Sequence, residues 1–275
     1  NKERSLKIGK DRELEEYIRV KIVEQRYSPD AVIGEIKAKR MKFENMICTK
    51  TLYNYIDAGY ISGISNLSLW EKRKKKRRYR KVSRVSIRNL GCRGIEDRPK
   101  KVEKRLEYGH WEGDTVKGPQ GSKTVLLTLS ERKSKEEIIF KLEDARQERI
   151  QEQLDSLERK YKDKFAVKFK SITFDNGSEF LGWRSLELSV INSGKRRTTI
   201  YFAHSYSSWE RGTNENQNRM IRRFIPKGKD IAEYSRDDIQ EIQDWMNNYL
   251  RKILGYKTAR QVAQESLQNN NFGSN

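Results

Sequence analysis

The sequence predicts an α/β domain built on a mixed sheet, preceded by a smaller all-α domain. Helical spacing of apolar residues dominates residues 1–60, whereas short strand-like runs separated by helical stretches begin near residue 106. A dense run of basic residues lies between them. The 275 residues are enough for two domains whose cores need no disulfides. We therefore expect a small domain at 1–60, a linker at 61–105, a large domain at 106–268 and a disordered tail at 269–275.

The amino-terminal region has the pattern of three short helices. Apolar residues recur every four positions from Leu14 to Ile22, and Ser28 and Pro29 offer an N-cap and a helix-start proline for the second helix. A third helix fits 50–58, before a glycine that stops it. Three helices with a tight connection before the last are typical of a helix-turn-helix, whose final helix enters the major groove of DNA. A plain three-helix packing module would show the same periodicity. The outward-facing candidates for DNA contact on the third helix are Lys50, Tyr53 and Asn54.

The basic tract between the two domains favours a polyanionic partner. The chain has 59 Lys and Arg against 39 Asp and Glu, a net charge of +20, and the 17 basic and 4 acidic residues of 71–105 carry +13 of it. Like charges this close repel one another, whereas DNA phosphates neutralise them and release counterions. We therefore expect the linker to follow a DNA backbone, although a solvated linker or a localisation tract has the same composition. The expected phosphate contacts in its densest part are Lys74, Lys75, Arg77 and Arg78.

Composition excludes several other classes of protein. Mean hydropathy is −0.97, and no apolar run approaches the ~18 residues that a membrane span needs. The two cysteines, Cys48 and Cys92, lack the paired spacing of a zinc site. No signal-peptide pattern opens the chain, so we expect a soluble protein of the cytoplasm, associated with the nucleoid. Because the first residue is Asn1 rather than Met, we also expect a part of a longer protein.

The large domain alternates strands and helices. Three closely spaced strands are typical of an antiparallel meander, and a helix, two further strands and trailing helices follow. This order is the ribonuclease H-like arrangement. The predicted strands are 111–116, 124–130, 137–142, 170–174 and 198–203, and the predicted helices are 145–161, 214–224 and 237–253.

Two aspartates lie where a metal-dependent phosphoryl-transfer site would need them. Such a site takes acidic side chains from separate elements, because Mg²⁺ prefers oxygen ligands and keeps much of its water. Asp114 lies within a strand beside Gly113, which would let a backbone or a substrate come close. Asp175 ends an apolar strand, at the edge where α/β sheets gather ligands. An aspartate at a strand end more often only caps a turn.

A glutamate on a predicted helix is the third candidate. At ~100° per residue, Glu215 shares a helix face with Asn218, Arg219 and Arg222, while apolar residues occupy the other face. The helix would thus bury one side and present a carboxylate beside two cations on the other. An exposed glutamate is usually only solvated, so the case depends on the three carboxylates converging in the predicted fold.

Three sequence strings resemble the catalytic signature of a known family. GHWEGDTV (109–116), TFDNGSEF (173–180) and WERGTNENQNRMIRRFIPKG (209–228) together resemble that of the IS30 family of bacterial insertion-sequence transposases, which belong to the DDE superfamily with retroviral integrases. SPDAVIGEIK (28–37) and TLYNYI (51–56) resemble the second helix-turn-helix of that family, and RKILGYKTA (251–259) its carboxyl-terminal part. The resemblance therefore covers most of the chain.

The resemblance implies a reaction and its cofactor. Asp114, Asp175 and Glu215 would be the DDE triad, which holds two Mg²⁺ ions, with Mn²⁺ able to replace them. Water would first free a 3′-hydroxyl at an element end, and that hydroxyl would then attack target DNA. The expected partners are double-stranded DNA, both terminal inverted repeats and target, and further copies of the chain in an oligomer that is at least a dimer.

The same strings imply supporting residues around the triad. Glu112 and the amides of Asn176 and Asn214 would support the carboxylates, although Glu112 could equally pair with a nearby lysine. The expected contacts to the scissile DNA are Asn218, Arg219, Arg222 and Lys227.

Two alternatives to a transposase stay open. One is a catalytically inert, transposase-derived DNA-binding regulator, and the other is a ribonuclease H acting on RNA–DNA hybrids, which leaves the amino-terminal helices without a role. The family usually carries another helix-turn-helix upstream. Its interval between the second and third acidic residues is also shorter than that from Asp175 to Glu215, and the surplus is expected in 183–198.

Overall fold

The chain forms two compact units. The computed structural model describes Ile8 and residues 11–70, 91–204 and 208–272. Within these residues, the first unit comprises Ile8, 11–70 and Tyr249–Thr258, and the second comprises 91–248 and 259–272. Of the predicted linker at 61–105, residues 61–70 fold with the first unit and 91–105 with the second, while 71–90 lie outside the described residues.

Three helices build the amino-terminal unit. The Asp11 side chain caps the first helix by accepting from the Leu14 N–H at 2.9 Å, and the Ser28 hydroxyl caps the second by accepting from the Ala31 N–H at 3.2 Å. A positive φ of 72° at Gly59 follows the third helix. The apolar residues of the three inner faces form one core that includes Leu14, Ile18, Ile22, Ile33, Ile36, Leu52 and Ile56. The helices are α1 (Arg12–Arg19, extended by a π-helical turn at Val20–Glu24), α2 (Pro29–Ala38) and α3 (Thr49–Asp57).

A short hairpin from near the carboxyl end belongs to the same unit. Its strands, Leu250–Arg251 and Lys257–Thr258, are antiparallel. The ring of Tyr256 occupies the space above Gly34 of α2 where any Cβ would overlap it, and its hydroxyl donates to Asp30 at 3.2 Å. The strings 28–37 and 251–259 therefore pack on one another. This arrangement corrects the predicted helix 237–253, which ends before the hairpin begins.

A five-stranded mixed sheet organises the second unit. The strands are β1 (His110–Lys117), β2 (Val125–Glu131), β3 (Glu137–Leu142), β4 (Ser171–Phe174) and β5 (Thr199–Phe202). Their spatial order is β3-β2-β1-β4-β5, with β1 to β3 antiparallel and with β4 parallel to both β1 and β5. The predicted α/β class, the mixed sheet and the order of the strands along the chain are confirmed.

Helices cover this sheet on faces of different chemistry. The helices are α4 (Lys100–Glu103), α5 (Gln147–Tyr161), α6 (Phe165–Lys168), α7 (Trp183–Glu187), α8 (Gly212–Ile221), α9 (Arg236–Asn248) and α10 (Ala259–Phe272). Trp111 faces an apolar core that it shares with α5 and α6 residues, whereas its neighbour Glu112 faces the start of α8, because side chains alternate along a strand. Helix α8 packs against β1 and β2, and α9 packs against β3.

Helix α10 runs to Phe272, so it takes in the first four residues of the predicted tail at 269–275. In the described ranges, no helix combines the length and the apolar character needed to cross a membrane.

Arg93 and Arg98, which the sequence assigns to a DNA-following linker, are instead ion-paired with Glu187 and Glu103 inside the second unit.

Candidate active site

Asp114 and Asp175 lie on neighbouring strands at the same edge of the sheet. Strands β1 and β4 pair in parallel with Glu112 opposite Thr173, and two further residues along each chain lead to Asp114 and Asp175. The Asp175 Oδ1 accepts from the Gly177 N–H at 3.0 Å in the turn that follows β4. The Asp114 and Asp175 side chains are 22% and 40% exposed. Two of the three predicted carboxylates therefore meet, and both reach solvent.

Gly113 has no side chain, and the ring of Phe174 occupies the space that a Cβ there would need. A Cβ at this position would stand 2.6 Å from Cδ1 of Phe174, which stacks on Phe180 with ring centroids 4.1 Å apart. The expectation that Gly113 leaves room for a backbone or a substrate is thus corrected, because the ring fills that room. The glycine serves the packing that brings the carboxyl ends of β1 and β4 together.

A guanidinium group bridges the two aspartates. Arg211 lies 3.3 Å from Asp114 (Nη1 to Oδ1) and 3.1 Å from Asp175 (Nη2 to Oδ2), and Nη1 also donates to the Gly113 carbonyl at 3.2 Å. The Arg211 side chain is 14% exposed, and its Nε is buried without a hydrogen-bond partner among the described residues. The space between the carboxylates therefore attracts positive charge, and the protein supplies one from its own chain.

Asp114 is held on both of its oxygens. Arg211 contacts Oδ1, while the Asn218 Nδ2 donates to Oδ2 at 2.7 Å and to the Asn214 Oδ1 at 2.8 Å. Burial raises the pKa of Asp114; the charge of Arg211 acts against this, and the nearby charge of Asp175 adds to it. A second carboxylate close enough to raise the pKa of the first is an arrangement that a divalent cation would relieve. Asn218, which is also predicted to contact DNA, orients this carboxylate.

Glu112 fixes the start of α8 on β1. Its side chain is fully buried, with Oε1 accepting from the Arg132 Nη1 at 2.5 Å and Oε2 from the Asn214 backbone N–H at 2.9 Å. The Asn214 amide returns to the Glu112 carbonyl and to the Thr128 hydroxyl, both at 3.3 Å. The carboxylate thereby caps an otherwise unpaired donor in the first turn of α8. Glu112 pairs with an arginine rather than with the lysine considered from the sequence, and with Asn214 it sets where α8 begins.

Glu215 lies one helical turn after Arg211 and one turn before Asn218, on the same face of α8. Both of these neighbours contact Asp114, whereas the Glu215 side chain is exposed. Across the described parts of the chain, no three His, Cys, Asp or Glu side chains already stand as a metal-binding group. The structure thus places Glu215 on the helix beside the aspartate pair without joining it to that pair.

Three arginines of this region were not identified from the sequence as parts of the site. Arg211 sits at the N-cap of α8, which begins at Gly212 and not at residue 214, so the predicted helix face stopped short of it. Arg98 and Arg132 are buried behind β1 and β4; the Arg98 Nη1 donates to the Thr173 hydroxyl at 3.0 Å. Burial, and then the charge of Arg132, lower the pKa of Arg98 to about 10. Extending the α8 face by one turn would have found Arg211, whereas no sequence signal marks a buried arginine.

The structure describes only some of the remaining predicted DNA contacts. Lys50 and Asn54 are exposed on α3, whereas Tyr53 is partly buried against the core and so does not point fully outward. Lys74, Lys75, Arg77 and Arg78 lie outside the described residues.

Around α8, the predicted cations lie at different depths. Arg219 is exposed and donates to Asn216, and Lys227 is exposed beyond the helix. The Arg222 Nη2 donates to the Lys117 carbonyl at 2.8 Å, and burial lowers the pKa of this half-buried arginine.

The predicted supporting residue Asn176 donates to the Ala203 carbonyl at 2.8 Å, tying the turn after β4 to the end of β5.

Comparison with known proteins matches this chain to transposases, and each match below covers most of the chain. The probable transposase for insertion-like sequence element IS1161 of Streptococcus salivarius is 34% identical over 218 residues, which are 78% of this chain and 58% of that protein. The transposase for insertion sequence element IS4351 of Bacteroides fragilis is 30% identical over 253 residues, 91% of this chain and 73% of that protein.

The transposase InsI for insertion sequence element IS30C of Escherichia coli is 28% identical over 252 residues, 89% of this chain and 63% of that protein. The chain thus spans about 60% of the length of some relatives that it matches. No protein-family model matches it. The sequence strings that suggested the family and the extent of these matches agree: the chain belongs to the transposases of IS30 and related insertion sequences.

Proposed function

We propose that the protein is a DDE transposase, which nicks DNA at insertion-sequence ends and joins the freed 3′-hydroxyl to target DNA. The observation that carries this proposal is the aspartate pair, since Asp114 and Asp175 lie together at one edge of the sheet. The helix that bears Glu215 is held at its start against β1, the strand of Asp114, by the hydrogen bond from the Asn214 N–H to Glu112. The strand order β3-β2-β1-β4-β5 supports a ribonuclease H-like core. In such a core, acidic side chains from β1, β4 and a following helix form one site.

The donor set fits a hard divalent cation. Asp114 and Asp175 offer carboxylate oxygens only, and a positive group already lies between them. Asp114, Asp175 and Glu215 would hold two Mg²⁺ ions, with Mn²⁺ as a substitute. When bound, these ions activate the attacking oxygen and stabilise the leaving one in an in-line displacement. Glu215, exposed on α8, would have to turn toward the pair to join it.

The chain's own residues orient the site and bind the substrate. Asn218 donates to one Asp114 oxygen and so orients this carboxylate. Glu112 accepts from the Asn214 N–H and so holds the first turn of α8 in place. Because both contacts fix α8 on β1, the position of Glu215 depends on them. Arg219 and Lys227, exposed on and after α8, would bind phosphates beside the scissile bond. No covalent protein–DNA intermediate is needed, because water and then the 3′-hydroxyl are the nucleophiles.

The amino-terminal unit would supply DNA recognition. Its three-helix core, with Lys50 and Asn54 exposed on α3, supports a helix-turn-helix that places α3 in the major groove. The basic tract, with Lys74, Lys75, Arg77 and Arg78, would follow the backbone between the two units. Joining two element ends requires two active sites, so we propose a homo-oligomer that is at least a dimer on DNA.

A strand-cleavage assay tests the proposal. The substrate is a duplex carrying the inverted repeats that flank the gene, incubated with the full chain and MgCl₂. We expect nicking at the repeat end that is abolished in Asp114→Asn, Asp175→Asn and Glu215→Gln. Glu241→Gln, which alters an exposed glutamate of α9, is the matched control for the α8 variant and should cleave normally. Nicking that survives all three carboxylate changes would refute the site.

A second candidate is a DNA-binding regulator derived from such a transposase and lacking activity. The observation that favours it is the Arg211 guanidinium between the two aspartates, with Glu215 turned to solvent. Calorimetric titration separates the two: a regulator binds the repeats with the affinity of a transposase but takes up no Mg²⁺ or Mn²⁺.

A further inference from the structure

The feature that carries this inference is the position of Arg211. Its guanidinium contacts one oxygen of each aspartate, at 3.3 Å and 3.1 Å, so it occupies the space between two carboxylates that the proposed function assigns to metal binding. A guanidinium and a divalent cation cannot both occupy this space between the two oxygens. One must leave when the other enters.

We propose that Arg211 is a built-in countercation that competes with divalent cations for Asp114 and Asp175, and that its displacement couples metal binding to DNA binding. The inference rests on the proposed function, because it needs a metal at the aspartate pair. It goes beyond it by assigning to Arg211 a positioning role in the metal-free protein and a phosphate contact once released.

The geometry favours displacement over a permanent structural pair. Asp175 is 40% exposed and Asp114 22%, so solvent and ions reach the pair from outside. Arg211 precedes the first residue of α8, where the backbone leaves the helical conformation with φ −117° and ψ 40°. A residue at a helix end can redirect its side chain without breaking a helical hydrogen bond. The buried Nε has no hydrogen-bond partner within the described ranges, so the present position leaves one of the Arg211 donors unsatisfied there.

A destination for the displaced guanidinium lies at the same edge. Arg211, Glu215 and Arg219 follow one another at four-residue steps, so a released Arg211 joins the α8 face that would meet the DNA backbone. Arginine suits this exchange because its planar fork matches both carboxylate and phosphate oxygens. By reciprocity, DNA that draws Arg211 away must raise metal affinity, and a bound metal must raise DNA affinity.

The test is a calorimetric titration of the full chain with MnCl₂ alone, and then with duplex DNA present. We expect Arg211→Gln to bind Mn²⁺ about tenfold more tightly than the wild type, the order expected when two partly exposed ion pairs no longer compete. DNA should raise Mn²⁺ affinity in the wild type and have little effect in Arg211→Gln. Arg149→Gln, which removes an equal charge and two partly exposed ion pairs, with Glu143 and Glu152, but no contact to either aspartate, is the matched control and should resemble the wild type.

The outcomes separate this inference from the proposed function. If the wild type binds Mn²⁺ through Asp114 but Arg211→Gln binds it equally or less tightly, the countercation role is wrong and the metal site stands. If neither protein binds Mn²⁺ in a manner that Asp114→Asn abolishes, both fail. Arg211→Lys guards against a folding defect: it keeps a cation without the bidentate fork, and we expect its Mn²⁺ affinity to fall between the other two. Equal affinities of wild type and Arg211→Lys, with a folded Arg211→Gln also unchanged, would overturn the inference.

Discussion

Replacing Glu112 tests how the site is anchored. This carboxylate is fully buried, accepts from the Arg132 guanidinium at 2.5 Å and caps the Asn214 N–H at 2.9 Å. Breaking a buried ion pair by removing one partner costs about 3–5 kcal/mol, because the remaining charge stays buried. Arg132 keeps its contact to Glu103 at 3.1 Å, which limits the loss. We therefore expect Glu112→Ala to lower the free energy of unfolding by about 3 kcal/mol, and Glu112→Gln, which keeps the hydrogen-bonding shape, by less.

The assay is urea denaturation of the full chain followed by far-UV circular dichroism, with thermal melting alongside. At about 2–4 °C per kcal/mol for a unit of this size, Glu112→Ala should melt about 6–12 °C below the wild type. Glu152→Gln is the matched control, since it removes an exposed ion pair with Arg149 on α5 and should change stability by less than about 1 kcal/mol. A loss for Glu112→Ala no larger than that of the control would refute the anchoring role.

Three further predictions concern other parts of the chain. Gly34→Ala should destabilise the amino-terminal unit by about 1–3 kcal/mol, because the new Cβ meets the Tyr256 ring, and most of this loss should vanish in a Tyr256→Ala background; a double-mutant cycle in urea measures it, and full additivity would contradict the packing. Burial lowers the pKa of His110 despite the opposing effect of Glu107, so the unfolded chain takes up a proton at higher pH than the folded chain. Stability should therefore decrease as the pH falls below about 6.5, and less so in His110→Gln; an equal loss of unfolding free energy in both proteins between about pH 7.5 and about pH 5.5 would contradict this. Neutralising four basic residues of 71–90 should reduce the slope of log affinity for nonspecific DNA against log salt by about 3–4, measured by fluorescence anisotropy, whereas an unchanged slope would exclude phosphate contacts there.

The periodicity of apolar residues predicted most of the second unit. The strand at Glu137–Leu142 has the predicted bounds, and the other four strands begin and end within one residue of theirs. The end of α9 was not predictable in this way, because the apolar residues Leu250 and Ile253 continue its helical spacing. Their segment instead forms a hairpin whose Tyr256 packs on Gly34, far away in the sequence. Only the three-dimensional fold shows that partner.

The candidate site was predictable to the extent that it follows from strand ends. Asp175 was identified because it ends an apolar strand, and Asp114 because it lies within a strand beside a glycine; the structure brings the two together. Arg211 was missed because helix propensity does not locate the first residue of α8 reliably. The partner of Glu112 was misjudged, since the choice between a lysine and an arginine depends on which cation of the turn after β2 is buried beside it. The outward direction of Glu215 depends on the rotation of α8, which the sequence does not define.

The anomalous scattering of Mn²⁺ in crystals of the chain bound to an element end tests the central proposal most directly. We predict two anomalous peaks beside Asp114 and Asp175, with a Glu215 oxygen about 2.1–2.2 Å from one of them and the Arg211 guanidinium moved to a DNA phosphate. A map without such peaks, in which Arg211 still bridges the two aspartates and Glu215 still faces solvent while DNA is bound, would contradict the proposed chemistry.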